Sequence, residues 1–344
     1  MTELLHTLIA GMPKAELHMH LEGSLEPEMM FRLAKRNGID LGFASEDALR
    51  QAYDFQNLQS FLDLYYAGLR VLLTRQDFLD MTTAYLDRVR QDNVVHAEVL
   101  LSPQGHTRRG VDFAEMFCGV RDALREGAVR HGMTTGLIIG FQRHLTEESA
   151  FETLRQSEPY AADILAFGLG GAELGNPPEK FARVFAECRA RGFRTVAHAG
   201  EEGPPDYVRD SIDLLGVDRI DHGVRAAEDP ALVARLAQLR VPLTVCPQSN
   251  VKLRVYDTMA EHSLAALLRA GVMVTINSDD PPYFGGYITD NFLDAQAALN
   301  LTEAEIYRIA RNGFEAAFID VAHRDRLVAG LDAFWIREAG ALPA

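Results

Sequence analysis

Eight short apolar runs, each followed by sequence of helical periodicity, constrain this chain more than any other feature. They are AELHMH (15–20), VVHAEVLLS (94–102), TTGLIIGF (134–141), ILAFGLG (164–170), RTVAHAG (194–200), RIDHG (219–223), PLTVCP (242–247) and VMVTIN (272–277). Runs of this length and composition read as strands. The stretches between them include PPEKFARVFAECRARG, which opens on Pro and closes at Gly192, and EDPALVARLAQLR. Both read as amphipathic helices. Eight βα units in 344 residues of 47% hydrophobic content predict one (β/α)8 barrel domain spanning 1–344. A doubly wound open sheet is the alternative. The first connection, about 25–92, holds several helical segments and is expected to form an insertion over the barrel mouth.

The polar residues within these runs follow a rule of their own. His18 and His20 close the first run, His198 the fifth and His222 the sixth, while Asp279 and Asp280 follow the eighth. In a barrel of parallel strands the C-terminal strand ends share one mouth, so distant segments deliver these side chains to one place. His18, His20, His198 and Asp279 then supply three imidazoles and a carboxylate. That donor set suits one Zn2+ per chain, with Fe2+ or another divalent metal as the alternative. An isolated HxH is more often two structural histidines than a metal site. The strand is expected to end or twist between the two histidines where they meet one ion, and Gly23 is expected to allow that bend. His222 reads either as a fifth ligand or as the group that orients a metal-activated water. Asp221 reads as its neighbour's hydrogen-bond partner or a helix cap. Glu201, in a glycine-flanked turn, is placed to shuttle a proton.

Five segments, PKAELHMHLEGSL, VAHAGEEG, RIDHG, CPQSNVKL and TINSDDPPYFGG, together resemble the adenosine and adenine deaminases among the metal-dependent amidohydrolases. The likeness runs through nearly the whole chain in the family's order. It implies a zinc-bearing barrel that hydrolyses the exocyclic amine of a 6-aminopurine. It also implies roles: His18, His20, His198 and Asp279 as metal ligands, Glu201 as the acid for the ring nitrogen, and His222 as the residue that orients and activates water. Asp280 would bond the purine N7 side, and the Gly171 backbone the N3 edge. Glu22 stands where nucleoside-specific members carry Asp, and LEG, FQNLQSFLDLYYAG, HAGEEGPP and DDPPYFGGY resemble the adenine branch. The resemblance therefore implies adenine as substrate. Adenosine, or an N6-substituted adenine given the departure at Gly170-Gly171-Ala172, are the alternatives, and a non-catalytic purine-binding barrel is the rival of a different class. Leu58, Phe61 and Tyr65 recur at helical spacing and read either as an apolar lid over the base or as ordinary core.

Charge and cysteine content narrow the partners. A formal net charge of -15 is a poor match for nucleic acid or an anionic membrane surface. No apolar run approaches the roughly 18 residues of a membrane span, and the first residues lack a basic signal-peptide start. Three scattered cysteines, Cys118, Cys188 and Cys246, fit a reducing compartment. The expectation is a cytoplasmic enzyme acting on a small molecule, with its oligomeric state left open.

Overall fold

The structure, a computed structural model, describes residues 2–343. All eight expected runs are strands: β1 (Lys14–Glu16), β2 (Val94–Leu101), β3 (Thr134–Gln142), β4 (Ala166–Gly170), β5 (Arg194–Ala199), β6 (Arg219–His222), β7 (Leu243–Val245) and β8 (Val274–Ile276). They lie in sequence order, and each pairs with the next in parallel. This is the (β/α)8 arrangement, because a doubly wound sheet would reverse its strand order at a switch point.

Closure of the barrel depends on the stretch that carries the first two histidines. β1 stops at Glu16, earlier than its apolar run, and the Leu17 N–H donates to the Asn277 side chain at 2.9 Å. Main-chain bonds then hold the bent segment 18–21 from both sides. The Asp279 N–H donates to His18 O (3.0 Å), and the His20 N–H to Asp279 O (3.1 Å). The Leu100 N–H donates to Met19 O (2.8 Å), and the Leu21 N–H to Leu100 O (2.9 Å). The histidines therefore lie beyond β1, and the bend is not what brings them to one side, because residues two apart share a face even in a regular strand.

Gly23 does not make this bend. Its part is clearance, since a Cβ there would stand 1.7 Å from Asp280 Oδ1.

The barrel interior is filled. Leu100, Ile138, Ala166 and Val196 form a buried apolar cluster with Phe318 packed against it. Nearer the N-terminal strand ends, Arg219 Nη1 donates to Glu98 Oε2 at 2.7 Å and Nη2 to Leu17 O at 3.1 Å. Both side chains are fully buried, and the Phe318 ring lies 4.4 Å from the guanidinium. A blocked floor leaves the C-terminal strand ends as the open mouth.

The long first connection divides in two. Its helices are Pro27–Asn37, Glu46–Gln51, Leu58–Gly68 and Arg75–Val89. Helix Leu58–Gly68 begins at a capping box in which Asn57 and Ser60 bond each other's backbone N–H, and it lies over the mouth. Helix Arg75–Val89 does not. It packs along helix Phe113–His131, where a Cβ on Gly119 would stand 2.4 Å from Arg75 O and one on Gly127 2.3 Å from Leu86. The insertion expected over 25–92 thus ends before Arg75, and the last helix is the ordinary crossover to β2. Among the described residues no helix is long and apolar enough to cross a membrane.

Candidate active site

The side chains expected at strand ends meet at one point. His198 Nε2 lies 3.1 Å from His18 Nε2 and 3.2 Å from His20 Nε2. Asp279 Oδ1 lies 3.5 and 3.4 Å from the same two nitrogens. Ring nitrogens this close cannot all point protons at one another, whereas a shared cation would satisfy their lone pairs. The opposite nitrogens fit that reading. His18 Nδ1 faces Thr244 O and Thr244 Oγ1, both at 3.1 Å, and the Thr244 hydroxyl itself donates to Asp221 Oδ1 (2.8 Å). His198 Nδ1 lies 3.2 Å from Asp221 Oδ2. The acceptor carbonyl on the outer side of His18 places its proton on Nδ1 and leaves Nε2 free to ligate, and the Asp221 carboxyl stands beside the same nitrogen of His198. Three imidazole nitrogens and one carboxylate oxygen suit Zn2+ or Fe2+.

His222 is close as well, with Nε2 3.8 Å from Asp279 Oδ2 and 3.7 Å from Glu201 Oε1. By distance alone His18, His198, His222 and Asp279 also form a compact group, their ligating atoms all within 4.8 Å. Two of these residues carry unusual backbones, His222 with φ 63° and Asp279 with φ 64°. The left-handed region costs a non-glycine residue on the order of 1–2 kcal/mol. Strain of this kind gathers at functional sites, where the surrounding structure enforces it.

The charges around the centre are polarised. Burial, then the charges of Asp279 and Glu173, pushes the Glu201 carboxyl well above its usual range. Burial works the same way on Asp279, but His18, His222, His20 and His198 outweigh it and hold that carboxyl below the usual range. Asp280 is raised by burial and by Asp279. One acid and one carboxylate thus sit side by side, the arrangement acid–base chemistry uses.

Glu201 is held by a residue that the sequence reading left without a role. Glu173 Oε1 accepts from the Gly200 N–H (2.7 Å), and Oε2 from those of Glu201 (3.1 Å), Glu202 (2.8 Å) and Gly203 (2.7 Å). The loop that carries the acid is wrapped around one buried carboxylate. From the other side Arg143 Nη1 donates to His198 O (2.7 Å). The signal for Glu173 was the LGGAE motif, but its four partners begin 27 residues away.

These groups open into one cavity. Gly171, Asp280, Glu201 and His222 line it, together with Leu58, Phe61 and Tyr65 of the covering helix. The last three are also core, each about 5% exposed, and Phe61 packs on Phe284 with ring centroids 4.7 Å apart. The helix thus lines the cavity and is packed in the core, and the Glu202 side chain anchors its start by accepting from the Leu58 N–H (3.0 Å). Tyr66, Ser102 and Gln142 also line the cavity and were not foreseen. Glu22 stands behind this wall. Its Oε1 accepts from the Ser102 N–H (2.8 Å) and faces His106 Nε2 (3.1 Å), while Oε2 is buried without a hydrogen-bond partner. Cys246 is fully buried and its thiol is pushed up by burial, which excludes it as a nucleophile.

A filled (β/α)8 barrel with a His/Asp cluster at its mouth defines a metal-dependent hydrolase. The family model described as "Adenosine deaminase" matches residues 13–334. The chain belongs to the adenosine deaminase family. It is 55% identical to an adenine deaminase of Paraburkholderia xenovorans over 94% of this chain and 93% of that protein. It is 52% identical to one of Hahella chejuensis over 95% and 98%. Its fold matches the crystal structure of an Arthrobacter aurescens adenine deaminase with a TM-score of 0.93 at 46% identity, covering 95% of this chain and all of that one. A zinc-bound amidohydrolase from Burkholderia ambifaria matches with a TM-score of 0.89 at 27% identity, over 97% and 94%.

Proposed function

We propose that this chain hydrolyses adenine to hypoxanthine and ammonia, with one Zn2+ held by His18, His20, His198 and Asp279. The observation that carries the reading is the buried Glu201 carboxyl, raised by its burial, lining the same cavity as the His/Asp cluster. Water attacks C6 of the base, and the electron pair displaced from the ring collects on N1. A proton from Glu201 at N1 removes that charge as it develops. When bound, a divalent metal supplies an attacking water already acidified, its pKa lowered to roughly 7. His222 orients that water. Asp280 bonds the N7 side, the Gly171 backbone meets the N3 edge, and Leu58, Phe61 and Tyr65 cover the ring. Collapse breaks the C6–amine bond; of the two protons of the attacking water one leaves with the amine as ammonia and the other restores Glu201, while N1 keeps the proton it received. Fe2+ is the alternative ion for the same ligands.

The relatives named adenine deaminase support the free base as substrate, and so does Glu22, which stands where the nucleoside-specific members it resembles carry Asp. Free cysteines favour a reducing cytoplasm. Ammonia release by protein stripped with a chelator and then reloaded with zinc tests the reading. Activity should vanish and return. No ammonia from any aminopurine by the zinc-loaded protein would favour a binding barrel instead.

A further inference from the structure

The three buried histidines nearest the centre do not face the same kind of partner on their outer nitrogens. His18 and His198 face acceptors, as described. His222 Nδ1 instead faces an amide nitrogen, Asn250 Nδ2, at 3.2 Å. Asn250 lies in the helix Pro247–Lys252 after β7 and is fully buried. Its orientation follows from the next link. His262 Nε2 lies 3.1 Å from Asn250 Oδ1, and His262 Nδ1 accepts from the backbone N–H of Leu264 at 3.0 Å. A backbone N–H can only donate. It therefore fixes Nδ1 of His262 as acceptor and Nε2 as donor, which in turn requires the carbonyl oxygen of Asn250 at that contact and its NH2 at His222. The chain of donors ends on His222 Nδ1, which must accept.

Resting on the reading of this site as a hydrolytic centre, we propose that Asn250 and His262 are positioning residues that hold neutral His222 in the tautomer protonated at Nε2. His222 then presents a proton to the site where His18 and His198 present lone pairs. It does not ligate the metal, although distance would permit it, and it does not accept the water's proton. It orients the attacking oxygen by donating to it, and His20 completes the ligand set. All three links are buried, with His262 4% and His222 1% exposed, so water does not compete with them and the chain acts as a unit.

The test reads the tautomer directly. In 15N-detected imidazole spectra of the zinc-loaded and the chelated protein, the resonances lost in His222→Asn identify this ring. The expected result is a protonated Nε2 and an unprotonated Nδ1 in both states. Asn250→Asp places a carboxylate that accepts from both neighbours, so the His222 proton should move to Nδ1. With the wrong tautomer, kcat for the preferred aminopurine should fall about 10²- to 10⁴-fold, as in the tautomer-inverting variant of the serine-protease triad, while KM and zinc content stay within a few-fold. A second pair covers the case in which Asn250→Asp fails to fold. His262→Gln can still donate to Asn250 and should hold wild-type kcat within a few-fold, whereas His262→Phe should lose about tenfold or more. A wild-type ring protonated at Nδ1, or a His262→Phe enzyme at full kcat, overturns the proposal. The expected tautomer in a protein that deaminates nothing would leave the relay standing and sink only the proposed reaction.

Discussion

Each polar side chain in the cavity takes its chemical character from its neighbours. Glu201 and Asp279 are both buried carboxyls, yet one is pushed toward the acid and the other toward the carboxylate. Glu201→Gln keeps the shape and removes the proton donor. Metal analysis should find full zinc occupancy, with kcat lowered about 10²- to 10⁴-fold. A near wild-type rate would remove Glu201 from the acid role. His198→Ala should lose both metal and turnover. Glu173 acts one step back. Glu173→Ala leaves four backbone donors without their carboxylate, and the loss of stability expected in denaturant titration is about 3 kcal/mol or more. In the folded fraction kcat should fall more than KM rises, because the acid and not the cavity wall is released.

At the scale of elements, all eight strands and their order were legible in the sequence, because apolar runs between helical stretches carry a period that local sequence records. The four proposed ligands were legible for a related reason, since strand ends mark them. What sequence did not record was pairing across long separations. β1 stops at Glu16 because Leu17 bonds a side chain 260 residues away. Glu173, Asn250 and His262 were each visible as residues but had no partner that spacing could name. The left-handed backbones of His222 and Asp279 left no trace in composition. The segment carrying His262 makes a prediction of its own. Burial lowers the His262 pKa from 6.5 to about 3. The unfolded chain therefore binds more protons than the folded one between these values, and stability rises with pH across that window and is lost on acidification. Between pH 7 and pH 5 this residue should account for about 2 kcal/mol of lost stability, at about 1.4 kcal/mol per unit. Denaturant titration of wild type and His262→Gln at both pH values measures it, and equal losses in the two proteins would contradict it.

The whole molecule separates stability from chemistry along the barrel axis. The floor is closed by the buried Arg219–Glu98 pair, and the mouth holds the cavity. Arg219→Met strands a buried carboxylate, and the expected cost is about 3–5 kcal/mol, read as a lowered denaturation midpoint. Zinc content and kcat of the folded fraction should stay near wild type. A comparable loss of kcat would mean that floor and mouth are coupled. The central claim, a metal-dependent deaminase acting on the free base, is tested most directly by kcat/KM for adenine and adenosine measured side by side on protein of known zinc stoichiometry. Adenine should be preferred by at least about 100-fold, the scale of discrimination that one well-placed polar contact or wall provides, with one zinc per chain. Faster turnover of adenosine, or adenine turnover unchanged after complete removal of metal, would contradict it.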